Sequence, residues 1–207
     1  MQSPLRDRRR LAVVALCLTL VICACPACAV EAEYWITGNA SWYHASYALE
    51  NSSEYAWWDI GLLGERIPLE VENITLLKRN GMEEMIPFTV IPPNRITFEA
   101  GDYQLSFDGV IRNNHLLVQF DTPSSVSVHI PEGLDVRNPL LGAVSPGATI
   151  TEEGRGILIQ WNETRMIECR FYDPFRETLL TTFLTFWGVV AIVLLLPFLM
   201  RRRNREE

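Results

Sequence analysis

Residues 178–200 read TLLTTFLTFWGVVAIVLLLPFLM, carry no charge, and are followed by Arg201, Arg202, Arg203 and Arg205. No other feature of this chain limits its fold as strongly. As a helix rising about 1.5 Å per residue, the run reaches roughly 34 Å, enough to cross a hydrocarbon core of about 30 Å. A helix buried in a soluble core would be shorter and would show a polar stripe. The arginines mark the cytoplasmic end, because positive residues resist translocation. The expectation is an integral, single-pass protein of the cell membrane. Residues 178–200 span it, residues 201–207 form a cytoplasmic basic tail, and nearly everything else lies outside.

The other end of the chain agrees. Arg6, Arg8, Arg9 and Arg10 precede an apolar stretch at 11–25 that is short for a span, and Ala27-Cys28-Ala29 fits a small-x-small cleavage site. Residues 1–29 therefore read as a secretory signal cut after Ala29. Two alternatives stay open. An uncleaved signal would make the protein cross twice. The stretches ending at Cys25 and Cys28 loosely match a lipid-attachment box, so either cysteine is a lipidation candidate.

What lies between, residues 30–177, is one domain's worth of chain or two small ones. The whole sequence has 25 acidic and 18 basic residues; leaving out the eight arginines and three acids at the two ends gives this region 22 acids, ten bases and a net charge of −12. That balance excludes a nucleic-acid partner, which needs a basic face. It suits solubility at an outer surface. Of the five cysteines only Cys169 lies in this region, so no internal disulfide framework is available and an apolar core must hold the fold. Cys169 alternates with Ile167 and Phe171, which puts it on the apolar side of a strand. It reads as a buried inert thiol, the alternative being a reactive or intermolecular one.

Strand signals dominate the region. Runs rich in β-branched and aromatic residues occupy 41–49, 55–62, 66–77, 85–91, 95–99, 103–111, 115–121, 125–130, 156–161 and 166–172. Ala100-Gly101-Asp102 and Glu153-Gly154-Arg155 suit tight turns, and Asn113-Asn114 suits a hairpin that needs positive φ. The long connection 131–150 is expected to cross between sheets and, through Leu134, Val136 and Val144, to pack onto the domain. The fold class is all-β: an antiparallel β-sandwich, immunoglobulin-like in the broad sense, plus one C-terminal transmembrane helix. Pro92-Pro93 leaves open whether 30–92 and 93–177 are two units or one.

Four N-x-S/T triplets, at Asn39, Asn51, Asn73 and Asn162, are glycosylation candidates if that face is external; the competing reading is ordinary turn asparagines. Asn51 and Asn162 fall in expected turns and lead the four. Aromatics crowd residues 34–58. Strand alternation sets Trp42 and His44 opposite Tyr43, Tyr47 and Leu49, and Trp57 opposite Trp58. Trp42, His44 and Trp57 therefore read either as core or as an interaction patch for an envelope protein or glycan partner. No catalytic or metal-ligand spacing stands out: His44, His115 and His129 are isolated, and nucleophile-elbow, phosphate-loop and zinc-helix motifs are missing from the sequence. Neither an enzyme nor a cofactor or metal is expected.

The segment Val128-His129-Ile130-Pro131-Glu132-Gly133-Leu134-Asp135-Val136-Arg137-Asn138-Pro139, with 156–161 and Arg170-Phe171-Tyr172, resembles an uncharacterised archaeal family of membrane-anchored cell-surface proteins with β-rich ectodomains. The resemblance implies location and no assigned activity. The functional expectation is a membrane-anchored extracytoplasmic β-sandwich, a binding or structural module of the cell envelope. The alternative is an accessory subunit of a membrane complex, with Thr178, Thr181, Thr182, Thr185 and Gly188 as its helix-packing face.

Overall fold

The computed structural model describes residues 30–61, 63–79 and 84–203. The signal reading of 1–29, the lipidation candidates Cys25 and Cys28, and residues 204–207 of the basic tail lie outside the described residues.

Eleven strands and one helix are formed among the described residues. In order they are β1 (Val30–Ile36), β2 (Trp42–Ala56), β3 (Trp58–Ile60), β4 (Arg66–Pro68), β5 (Val71–Lys78), β6 (Thr89–Ile91), β7 (Arg95–Val110), β8 (His115–Ile130), β9 (Ala143–Val144), β10 (Ala148–Glu153), β11 (Gly156–Arg170) and α1 (Pro174–Arg203). Hydrogen bonding runs unbroken through the order β10-β11-β8-β1-β2-β7-β5, with β6 on β7 and β9 on β11; β3 and β4 pair only with each other. Neighbours are antiparallel except β1 and β8, which run parallel. Strands from 30–92 and from 93–177 share this main sheet, β1 lying beside β8 and β2 beside β7.

Four strands are far longer than their sequence runs. β7 passes straight through Ala100-Gly101-Asp102, where a tight turn was expected, and Gly101 pairs with Ser52 of β2. Likewise β11 joins the runs 156–161 and 166–172, and β8 joins 115–121 and 125–130. Register shifts explain this. β2 is offset between Leu49 and Glu54, and β11 between Trp161 and Met166. Such bulges bend a strand without ending it. Asn51 and Glu163 supply the positive φ that these bulges need, at 45° and 53°. The sequence breaks are therefore bends, and both arms of each strand contribute to one core.

That core follows strand alternation. Ala32, Tyr34 and Ile36 of β1 are buried, as are Tyr43, Ala45, Tyr47 and Leu49 of β2, Leu105 and Phe107 of β7, and Val126, Val128 and Ile130 of β8. The far arms add Ile96, Leu116, Phe120, Ile167 and Cys169 to the same cluster. Tyr47 meets Phe120 with ring centroids 6.3 Å apart, so arms that share no hydrogen bond share packing. Cys169 is fully buried, and burial together with the neighbouring Glu168 charge pushes its thiol up to about 12. Its place on the apolar side of the strand is as expected, and both influences disfavour the thiolate. The connection 131–142 packs down through Val136, 4 % exposed. Gly142 lies so close that a Cβ there would sit 2.4 Å from the Val136 carbonyl oxygen.

The final helix starts only three residues after β11. Asp173 Oδ1 accepts the Arg176 amide at 2.8 Å, closing the first turn as an N-cap does, and Pro174 takes the first helical position. Residues Pro174–Pro197 have mean hydropathy 2.4 and none of that stretch is buried against the β-domain. By length and composition this is a candidate membrane-spanning helix.

Candidate functional site

The sheet has a polar outer face, and the candidate residue His44 sits in it. Trp35 of β1 is flanked by its register partners His44 and His129. The rings of Trp35 and His129 stack at 5.3 Å and 8°, and those of Trp35 and His44 lie 5.8 Å apart. Each histidine is fixed by a carboxylate: His44 Nδ1 lies 2.7 Å from Asp108, and His129 Nδ1 lies 3.1 Å from Glu153. Asn73 Nδ2 donates to the other Asp108 oxygen at 2.7 Å. Burial works to raise the Asp108 carboxyl, but the bonds from Asn73 and His44 outweigh it and hold it below the usual carboxylate range. Trp42, half-buried, borders this row and shares with His44, Asn39 and Asn73 a hollow of about 420 Å³.

Trp57 is not part of that face, which corrects its expected grouping with Trp42 and His44. It is 3 % exposed and packs edge-on against Tyr55 and Phe107, each 5.5 Å away. The reason is local. Trp57 falls between β2 and β3, where its amide donates to the Asn94 carbonyl at 2.9 Å and its own carbonyl accepts the Asn94 side chain. Strand parity counted from neighbouring runs does not carry through such a break.

The larger concavity lies on the inner side. A cavity of about 730 Å³ opens between β2, β7, the first arm of β8 and the β3–β4 hairpin. Tyr34, Tyr43, Tyr47, Tyr55, Trp57 and Phe107 form its inner wall. The hydroxyls of Tyr34 and Tyr47 hydrogen-bond to each other. Burial lifts all four phenols above their ordinary range, so they stay neutral donors and acceptors. Trp57 Nε1 is buried with no hydrogen-bond partner. Asp59, Glu65 and Asp121 line the outer part, and Arg66 of the hairpin reaches Asp121 of β8 at 2.6 Å. Sequence reasoning put Tyr43 and Tyr47 together on one side of β2 but did not find this cavity. Its other walls come from strands distant in the chain. The available signal was tyrosine at alternate positions, an unusually polar choice for a core.

The four sequon asparagines are exposed and sit at turns or bulges. Asn51 and Asn73 take positive φ, 45° and 53°, and Asn162 adjoins Glu163 at the β11 bulge. The Asn73 side-chain amide donates to Asp108, and Asn39 Oδ1 accepts from the Ser41 amide and the Thr37 hydroxyl. Among the described residues, no group of three or more His, Cys, Asp or Glu side chains is placed to hold a metal ion.

The chain belongs to a family of unknown function, DUF5803, whose model matches residues 29–207 and so takes in both the β-domain and the apolar helix. No curated protein matches it.

Proposed function

We propose that this member of an uncharacterised family is a non-catalytic module of the cell envelope. It is anchored by α1, with residues 30–177 outside and the arginines inside. It binds or braces partners close to the bilayer. The single observation behind this reading is the join between sheet and helix. Only Phe171, Tyr172 and Asp173 separate β11 from α1, and the first two are 0 % and 2 % exposed. Tyr172 exchanges two backbone bonds of 2.9 Å with Asp135, and its hydroxyl accepts the Asn138 amide at 3.1 Å. A domain fixed this way cannot swing out on a stalk, so its reach is the membrane surface. The bent strands sharing one core support a sandwich-like packing in the broad sense. Asn51 and Asn162 are the glycan acceptors this orientation would expose.

Protease added to intact cells, followed by blotting for a C-terminal tag, tests the reading. The expected result is loss of the β-domain and an anchored remnant that resists carbonate extraction. Full protection of the domain, or release by carbonate, rejects it.

A second reading, accessory subunit of a membrane complex, is favoured by the surface of α1. Thr178, Thr181, Thr182 and Thr185 return their hydroxyls to carbonyls one turn back at 2.8–3.0 Å, and Gly188 has open space around it. With its polar atoms satisfied, this stripe permits close helix contact. Gly188→Leu should then abolish co-purification of a partner helix; unchanged co-purification rejects the contact.

A further inference from the structure

The turn at 138–142, in the connection after β8, lies against the start of α1. The Asn138 amide donates to the Tyr172 hydroxyl at 3.1 Å, and Asn138 Nδ2 is 3.5 Å from Glu177 Oε1. Leu140 stands two residues beyond Asn138, and Phe175 two residues before Glu177. Both are 69 % exposed. Two large apolar side chains are thus bare near the point where the chain passes from the β-domain into the helix. Leu140 has no share in the core cluster, which Val136 and Leu134 of the same connection join.

The backbone of this turn can leave water at little cost. The amides of Leu140, Leu141 and Gly142 all donate to oxygens of Asn138, at 2.8–3.1 Å, and Pro139 has no N–H. Unpaired donors are what keep irregular backbone out of lipid, and here the donors are already satisfied. Charge is no obstacle either. From Asn138 to Thr151 the chain carries none. Arg137, just before the turn, is held by Asp135 and Glu152 at 2.7 Å each.

The position of the turn selects its partner. Where Pro174–Pro197 crosses a bilayer, the first turn of α1 lies in the interfacial layer, and Asn138 holds the 138–142 turn at that level. We propose that Leu140 inserts beside Phe175 into the lipid interface, giving the β-domain a second hold on the membrane. This rests on α1 spanning the bilayer, as read above. It adds a fixed tilt: a helix alone leaves the domain free to lean, whereas two separate contacts hold one face of it towards the lipid.

The test uses the full chain in phosphatidylcholine vesicles, whose zwitterionic headgroups do not repel the acidic domain. The photocrosslinker p-benzoylphenylalanine replaces Leu140, Leu184 or Glu163, one at a time, and adducts are identified by mass spectrometry. Leu184, in the apolar helix, reports whether α1 is in the bilayer. Glu163 reports a distant point. Gly156 lines one hollow with Tyr172 and Pro174, and Glu163 is seven residues further along β11, roughly 20 Å at about 3.3 Å per strand residue. Lipid adducts are expected at 140 and 184 and not at 163. If the reporter at 140 prevents folding, exposed Pro139 takes it instead, with the same adduct expected. Lipid adducts at 184 without any at 140 or 139 overturn this proposal and leave the anchoring intact. Adducts from 140 to a second copy of the chain in place of lipid, or lipid adducts equally strong at 163, also overturn it. Absence of lipid adducts at 184 overturns the anchoring and this proposal together.

Discussion

Trp42 and Trp57 carry the same side chain in very different surroundings, and stability should tell them apart. Trp57 is packed on Tyr55 and Phe107 and is 3 % exposed, whereas Trp42 lies half-buried on the outer face. Trp57→Ala should therefore cost about 3–5 kcal/mol, as large-to-small core truncations do. Trp42→Ala should cost roughly 1 kcal/mol or less. Equal losses in urea melts of the two variants would reject this assignment. Asp135 offers a second residue-scale test. The Arg137 side chain is the main cause of its lowered carboxyl pKa, working against burial, with backbone amides of Arg137 and Val136 helping. A carboxyl depressed in the folded state adds stability above its unfolded value of about 3.9, and that stability is lost as pH falls through the folded pKa. Asp135→Asn should thus melt below the parent at pH 7, and the gap should close as pH drops below about 4. A gap that stays constant across that window would mean the charge contributes nothing.

Among the elements, the turn between β7 and β8 was legible and the bends were not. Asn113 and Asn114 take φ of 57° and 54°, the paired positive values of a tight hairpin, and asparagine tolerates them. Asn114→Gly should be near neutral, while Asn114→Val, β-branched at positive φ, should cost about 1–2 kcal/mol by thermal melt. Comparable stability of the two variants would show that the turn does not fix the hairpin. Gly101 and the Asn162-Glu163-Thr164 stretch carry the same turn-like residues but sit within strands. Local composition signals a departure from regular strand geometry; whether the chain reverses or merely bends depends on a partner strand distant in sequence. The same limit hid β1, where Ala32, Tyr34 and Ile36 alternate with Glu31, Glu33 and Trp35. That alternation directly follows the apolar residues 11–29, and the partner β8 that makes it a central strand lies far along the chain. As for the candidate residues, alternation correctly set His44 opposite Tyr43 and Tyr47. It could not reveal that Tyr34, Phe107 and Phe120 would meet those tyrosines from other strands.

At the scale of the whole molecule, the acidic β-domain and the apolar helix form a continuous object, joined at Tyr172 and Asp173. The parallel pairing of β1 with β8 has a consequence for how that object assembles. β1 is synthesised before every other strand described, yet it occupies the middle of the sheet, between β2 and β8. Its hairpin with β2 can close early, but its other edge must wait until β8, some ninety residues later, has been made. The distant contact implies slow folding. It also means that, among the described residues, β1 is the one strand whose pairing joins β2-β7-β5 to β8-β11-β10. Removing residues 30–36 should leave two fragments of sheet with freshly exposed edges, prone to aggregate, rather than a domain trimmed by one strand. A monomeric, cooperatively melting deletion variant would disprove this. Until β8 arrives, the free edge of β1 is open to any extended chain, and a chaperone or a second nascent copy would find there the seat that the protein later fills for itself.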